Sequence, residues 1–505
     1  MTIILAIVAF CHFPEGADWH WLLPLNGHYH IPMMLGGGLL TLLLAVVCVR
    51  CCRNNSIHRG RLLIVTGILS LFHIILVYSY YVFTDWDVQQ LTGAAEAMAE
   101  GRPVDEFKDY FRFAPNNLFL TRIFALVFFL TGPLWGLRTM LFPLLVLQCL
   151  FAALTGLMLF QIAIHLWHKK SLAVIVYLFY SLLVWFSPWW SIPYSDVWGL
   201  MAVFTILWLY AVLPFKRRWL KVFLIAAASV TGYYIRPQVL FIGMAIGFVE
   251  LVAALRSKQA LRTILKPSGI ALGGVAAAFL LVHICMIGSP MSLHSRRAFG
   301  PTHYLMMGAN YQSIGIYSAN DVDYSRSFKR KSERARAEMA MTRQRYADLG
   351  VDGTLILWGR KMLLNFSDGT FYWGREGQFY KIVPERHSRL SQMTRSVYYN
   401  QDHGGRHNVK WGVVNTSLWF GMLLFALMAA FPLRQDATSR NQPTERILKV
   451  VMLTLLLLFL FHMLCEARAR YLFSFVPLII LLTVEGLRQT KALSSRTKAP
   501  TAQRD

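Results

Sequence analysis

The chain has 505 residues, of which 56% are hydrophobic and 15% charged. A soluble protein carries about 25% charged and about 45–50% apolar residues, so much of this surface must face lipid. That excludes a disordered chain, a secreted disulfide scaffold and a cytosolic enzyme. Fifty Lys and Arg against 26 Asp and Glu leave a net charge of +24; much of the excess lies in short loops between apolar runs, where it marks the cytoplasmic side rather than a nucleic-acid partner.

A bilayer core of about 30 Å takes about 20 apolar residues per helix. In chain order, spans are predicted over 31–49, 62–83, 139–166, 171–190, 197–213, 219–232, 238–255, 268–287, 411–432, 447–464 and 471–487. Residues 1–11 are a shorter apolar run without the basic start and cleavage site of a signal peptide, and are predicted as a short first crossing. The expected fold class is an all-α polytopic membrane protein with about 11–13 transmembrane helices.

Orientation follows from the short loops. Arg50, Arg53, Arg59 and Arg61 mark one cytoplasmic loop, and 168–170, 216–221, 256–266, 434–449 and the tail from 488 mark others. Loops 84–117, 191–196, 233–237, 289–410 and 465–470 then face outside. Segment 118–131 breaks the parity: either it is re-entrant, or 133–168 holds two short helices. The expected organisation is an N-terminal helical hairpin (1–60), a transmembrane core (61–288) with its first outside loop at 84–117, an extracytoplasmic segment (289–410), C-terminal transmembrane helices (411–487) and a cytoplasmic tail (488–505). Within the long outside segment, 325–349 is a helix-like charged run followed by the aromatic, glycine-rich FSDGTFYWGREGQFY.

The seven cysteines lie in or beside apolar runs, so no disulfide framework is expected, and Cys48, Cys51 and Cys52 read as a helix end because no matching ligand pair follows. His12, Glu15, Asp18, His20, His28 and His30 cluster at irregular spacing, which leaves the identity of any metal site unknown. Gly36, Gly37 and Gly38 allow close helix packing, and Trp189, Trp190 and Tyr194 read as an interfacial belt.

Polar residues at membrane boundaries are the informative ones, because a carboxylate at bilayer depth costs ~2.5–3.5 kcal/mol. Asp85 and Asp87 in TDWDVQQ sit at an outside helix exit, where an Asp could act as a general base, ligate a divalent cation, or merely end a helix in water. An amphipathic stretch follows, with Leu91, Ala94, Ala95 and Met98 at helical spacing, suited to lie flat among headgroups. Pro115, Asn116 and Asn117 have the form of a helix start. Asp196 precedes another apolar run as a possible N-cap, Arg236 stands at an outside boundary, and Glu466, Arg468 and Arg470 share an outside turn. Outside arginines run against the charge rule, and a phosphate at the outer leaflet supplies a reason, since guanidinium forks bind its oxygens bidentately.

Together with PYSD, IRP, HYLMMGAN, SDGTFYW and the closing E-x-R-x-RYLF-x-F-x-P, these features resemble, over about residues 62–487, the bacterial glycosyltransferases of the GT-C superfamily. The branch is similar to the protein O-mannosyltransferases and the lipid A aminoarabinose transferases. The resemblance implies a GT-C-like bundle with its active site on outside loops of the cell membrane, a polyprenyl-phosphate sugar as donor, a glycan, lipid or protein of the cell envelope as acceptor, and inversion at the anomeric carbon. It maps the catalytic base onto Asp87 or Asp85, with Asp87 preferred, and a second acid onto Asp196. Arg236, Arg468 and Arg470 become donor-phosphate candidates with Glu466 orienting one of them, and Asn116, Asn117, His303 and Asn310 become pocket residues. The family pattern has an aromatic residue where Ala114 stands, and 1–60 precedes its usual first helix. No resident cofactor is implied beyond the open option of a divalent cation. The competing readings are a transporter or flippase, with these charges along its path, and a surface-polysaccharide polymerase or ligase. The collection of charges on one side and the lack of a repeated half speak against the transporter.

Overall fold

The computed structural model describes residues 30–54, 59–135, 141–213, 217–256, 261–377, 379–385, 387–430 and 442–496. The expected first crossing at 1–11, the cluster from His12 to His28 and the end of the tail lie outside them. The described residues form eighteen α-helices. Among the described residues nine stretches are long and apolar enough to cross a membrane, and Lys170–Trp185 and Ser195–Ala211 are shorter apolar helices. An apolar solvent leaves backbone groups no partner but each other, which is why the chain resolves into helices here. Leu39, Ile64, Phe129 and Leu272 are exposed on their outer surfaces, as lipid contact requires.

The helices, in order, are α1 (His30–Asn54), α2 (Arg59–Tyr80), α3 (Trp86–Ala99), α4 (Lys108–Phe113), α5 (Leu118–Trp135), α6 (Leu141–Trp167), α7 (Lys170–Tyr180), α8 (Ser195–Ala211), α9 (Arg218–Ile235), α10 (Leu240–Arg256), α11 (Leu261–Met286), α12 (Pro301–Gly308), α13 (Ala319–Ser327), α14 (Lys331–Phe366), α15 (Arg389–Tyr398), α16 (Asn408–Ala430), α17 (Gln442–Leu464) and α18 (Val476–Arg496). The span containing most of α18 is almost wholly enclosed by its neighbours. Helices α1 and α16 cross at backbone contact, because a Cβ on Gly37 would fall on the Ser417 carbonyl. Of the three glycines at 36–38, Gly37 is the one this crossing requires.

Two faces can be told apart by their contacts. On one, Tyr399 donates to the Tyr80 carbonyl (2.9 Å) and Ser79 meets Thr394 (2.9 Å), joining α2 to the polar segment. On the other, Trp167 donates to Glu485 (2.8 Å) and Thr444 to the Leu166 carbonyl (3.1 Å). The first is called the site face below.

Helix α5 resolves the parity conflict. Arg122 in its second turn donates to the carbonyls of Cys285 (3.2 Å) and Ile287 (3.1 Å), where α11 ends on the site face. Phe142, just inside α6, packs on Tyr78 at the same face. The link from Trp135 to Leu141 reaches at most about 20 Å, short of a core of about 30 Å. Although long enough to span, α5 therefore dips in from the site face, and α6 is one helix rather than the two short ones of the alternative.

Three further expectations need correction. The apolar face of α3 does not meet headgroups: Leu91, Ala94 and Ala95 are buried by protein, and α3 packs chiefly on α5. The charged run 325–349 is two helices, since α13 stops at Ser327, α14 starts at Lys331, and Gly350 at φ +62° breaks α14. The predicted span 171–190 is helical only to Trp185, where it closes in a wide turn ahead of Pro188.

Candidate active site

Three chain segments meet at the site face: the start of α3, the entry to α8, and the turn between α17 and α18. Asp87 lies in the first turn of α3, half-buried, and its Oδ2 accepts a hydrogen bond from the Tyr194 hydroxyl (2.7 Å). The Tyr110 hydroxyl, from α4, bonds the same carboxylate. Asn117 donates to Tyr110 (2.5 Å) and accepts from the exposed Asn116 (3.2 Å), so the PNN turn reaches Asp87 through a phenol. Burial, with the Asp87 charge beside it, pushes the Tyr194 phenol well above its ordinary value, which keeps it a donor.

Asp196 occupies the first turn of α8, two places past the N-cap, which is Tyr194. It is almost fully buried and pairs with Arg236 (2.5 Å) on one oxygen and Arg470 (3.1 Å) on the other. Ser474 donates to its backbone carbonyl (2.5 Å), tying α8 to the turn before α18. Gly199 clears the stem of Arg236, because a Cβ there would come within 2.8 Å of its Cδ. Arg236 gives Nη1 to Asp196 and Ser195, but its Nε and Nη2 make no hydrogen bond, although the side chain is buried. Such an edge is costly unless something accepts from it.

A residue not singled out from the sequence completes the cluster. Glu376, buried, pairs with Arg468 and lies 3.0 Å from Arg470 Nε. It is placed by the SDGTFYWGREG turn, where Asp368 accepts from the Thr370 N–H (2.7 Å) and hydroxyl (2.6 Å) and from the Tyr372 N–H (2.8 Å). These bonds hold Phe371 and Tyr372 in the left-handed region, at φ +55° and +66°. That conformation costs about 1–2 kcal/mol per residue, and such strain collects at functional sites. Phe83 and Ile382 then exchange backbone hydrogen bonds (3.0 and 3.2 Å), fastening the turn to the loop that carries Asp87.

Glu466 was expected to orient an arginine; Glu376 does more of that, since Glu466 stands 3.9 Å from Arg468 and accepts from Tyr471 (3.3 Å). Burial raises the Glu466 carboxyl above its usual range, with Arg468 and Arg470 pulling the other way. Beneath this turn Lys361, fully buried, donates to the carbonyls of Gly308 (3.1 Å), Met463 (3.0 Å) and Cys465 (2.8 Å). Its ammonium caps the ends of α12 and α17, and burial lowers its pKa to about 7.

The cluster thus gathers Asp87, Asp196, Arg236, Glu466, Arg468 and Arg470, with Asn117 one phenol away. Asp85 is on the rim, paired with Lys381 (3.0 Å). His303 and Asn310 are elsewhere. His303 is buried in the polar segment against Ser325 (2.7 Å), which donates to Glu338 (2.8 Å), and burial lowers it to about 4. Asn310 donates to Asp321 (3.0 Å) beside a cavity of about 630 Å³ bounded by Arg345 and Asp348. Tyr110, Tyr194 and Tyr471 were missed as site residues because boundary tyrosines look alike in sequence; for Glu376 the signal was a single acid between glycines in an aromatic run. Among the described residues no group of three or more His, Cys, Asp or Glu gathers as a metal site.

Among solved structures, ArnT from Cupriavidus metallidurans, bound to undecaprenyl phosphate, is similar over 88% of this chain and 82% of its own, at 13% identity and a TM-score of 0.29. No curated protein matches. A family model matches residues 36–491, and the chain belongs to that family, the conserved hypothetical integral membrane proteins.

Proposed function

We propose that the protein is an inverting glycosyltransferase that moves a sugar from a polyprenyl phosphate to a cell-envelope acceptor at the extracytoplasmic face of the membrane. The observation that carries this reading is the joining of a half-buried carboxylate, Asp87, to a buried arginine cluster in one boundary site. In the reaction, Asp87 takes the proton of an acceptor hydroxyl as its oxygen attacks the anomeric carbon. The bond from that carbon to the phosphate oxygen breaks, and polyprenyl phosphate leaves with the electron pair. The free edge of Arg236, backed by Arg470 and Arg468, stabilises the charge that develops there.

The test is incubation of purified protein with a panel of polyprenyl-phosphate sugars, following release of polyprenyl phosphate. Asp87→Asn should lower turnover ~10² to 10⁴-fold, the usual loss on removing a general base. Full activity in that variant would sink the assignment, and solute movement in vesicles without turnover of any donor would favour a transporter.

A further inference from the structure

We propose that Tyr194 is a positioning residue that locks Asp87 and Arg470 into one unit, so that the base and the phosphate-side arginine are set relative to each other by a single side chain. This rests on the glycosyltransferase reading for its meaning in turnover, though not for its geometry.

The side chains form a closed circuit. The Tyr194 hydroxyl donates to Asp87 (2.7 Å), and its ring lies 5.0 Å beneath the Arg470 guanidinium. Arg470 also stands 4.5 Å over Trp86, the neighbour of Asp87 in the chain, and Trp86 meets Tyr194 edge-on at 4.9 Å. The circuit closes through Asp196, two residues after Tyr194, which holds Arg470 at 3.1 Å. No member can shift without breaking a hydrogen bond to a charged group or a cation–π contact, both strong when desolvated. Among the described residues of this circuit, Tyr194 touches both halves through different parts of its side chain: hydroxyl to the base, ring to the arginine. Those parts can be removed separately.

The groups facing Asp87 are Tyr194, Tyr110 from α4, Tyr304 from α12 and, across the rings, Arg470. Tyr194→Phe removes the hydroxyl that holds Asp87 and keeps the ring under Arg470, so it should lower kcat about ten- to a hundredfold and leave donor KM unchanged. Tyr194→Leu, or Trp86→Leu should the first misfold, removes a face from Arg470 and should also weaken binding of undecaprenyl phosphate in nanodiscs.

A second readout needs no turnover. Carbodiimide labelling of Asp87 and phenylglyoxal labelling of Arg470, both at one fixed pH and followed by peptide mass spectrometry, report the two contacts in the folded protein. Tyr194→Phe should raise the rate of Asp87 labelling and leave Arg470 protected, whereas Tyr194→Leu should raise both. An unchanged rate at Asp87 in Tyr194→Phe, or a protected Arg470 in Tyr194→Leu and Trp86→Leu, overturns the proposal. The predicted labelling in a protein that neither binds undecaprenyl phosphate nor turns over any donor would sustain the circuit and refute the glycosyltransferase reading.

Discussion

Glu376→Gln is the sharpest perturbation of the arginine cluster, because it removes one charge while keeping volume and an acceptor oxygen. The wild-type carboxylate is buried and serves Arg468 and Arg470. Removing one partner of a buried ion pair costs about 3–5 kcal/mol, chiefly because the other charge stays desolvated. Here the remaining charges keep second partners: Arg470 has Asp196 at 3.1 Å, and Arg468 has Glu466 at 3.9 Å. The expected loss is therefore at the low end, about 3 kcal/mol. It should appear as an earlier unfolding midpoint on titration of the detergent-solubilised protein with SDS. A double-mutant cycle with Arg468→Met isolates the pair. A coupling below about 0.5 kcal/mol, the scatter expected of independent sites, would refute the claim that Glu376 holds the cluster together.

Three other expectations follow from the same geometry. Asp87→Asn should lower sugar transfer by the same ~10² to 10⁴-fold while membrane insertion, read by fractionation, is retained. Arg236→Lys keeps the charge but loses the planar fork with its free Nε and Nη2, so donor KM should rise about tenfold or more, measured by polyprenyl phosphate release over donor concentration. Lys361 titrates near about 7 when folded against an ordinary value of 10.5. Between those values the unfolded chain binds the extra proton, so this group makes stability rise with pH, by at most about 1.4 kcal/mol per unit, and the burial cost is fully present below pH 7. Lys361→Met should flatten that rise in SDS titrations taken between pH 7 and 10, and an unchanged slope would refute it.

The membrane helices were legible because lipid imposes length and apolarity on each crossing separately, so local sequence suffices. The interruption of the charge alternation at 118–131 was legible too, and only contacts at the starts of α5 and α6, Arg122 with α11 and Phe142 with Tyr78, could say why. The charged site residues stood out for a similar reason: Asp196, Arg236 and Arg470 occur where uncharged residues would be cheaper. Glu376 did not, because its burial depends on a turn whose backbone is bent by Asp368 and fastened to Phe83 nearly three hundred residues earlier. His303 shows the opposite error. A histidine in a polar segment looks available, but Phe299 stacks on it at 4.0 Å and Ser325 occupies its Nδ1, so it serves the packing of α12 and α13.

The arginines on the site face raised the question of what balances them, and most of the answer is internal. Arg470 lies between Asp196 and Glu376, and Arg468 between Glu376 and Glu466. A phosphate approaching these two must compete with carboxylates already in place, and gains little charge it could not find in water. Arg236 has one carboxylate rather than two: its Nη1 serves Asp196 and Ser195, while both Nε and Nη2 are buried and unbonded beside Tyr471. On the proposed reading, the cost of keeping that edge dry is recovered when the donor phosphate accepts from it, so the strongest phosphate contact falls to the arginine with a single carboxylate partner. On the same reading the paired arginines would act at longer range, their carboxylates limiting how tightly the leaving phosphate is held. A glycosyltransferase with that balance would release its product, whereas an unbalanced cluster of three guanidinium groups would bind a polyprenyl phosphate too firmly to turn over.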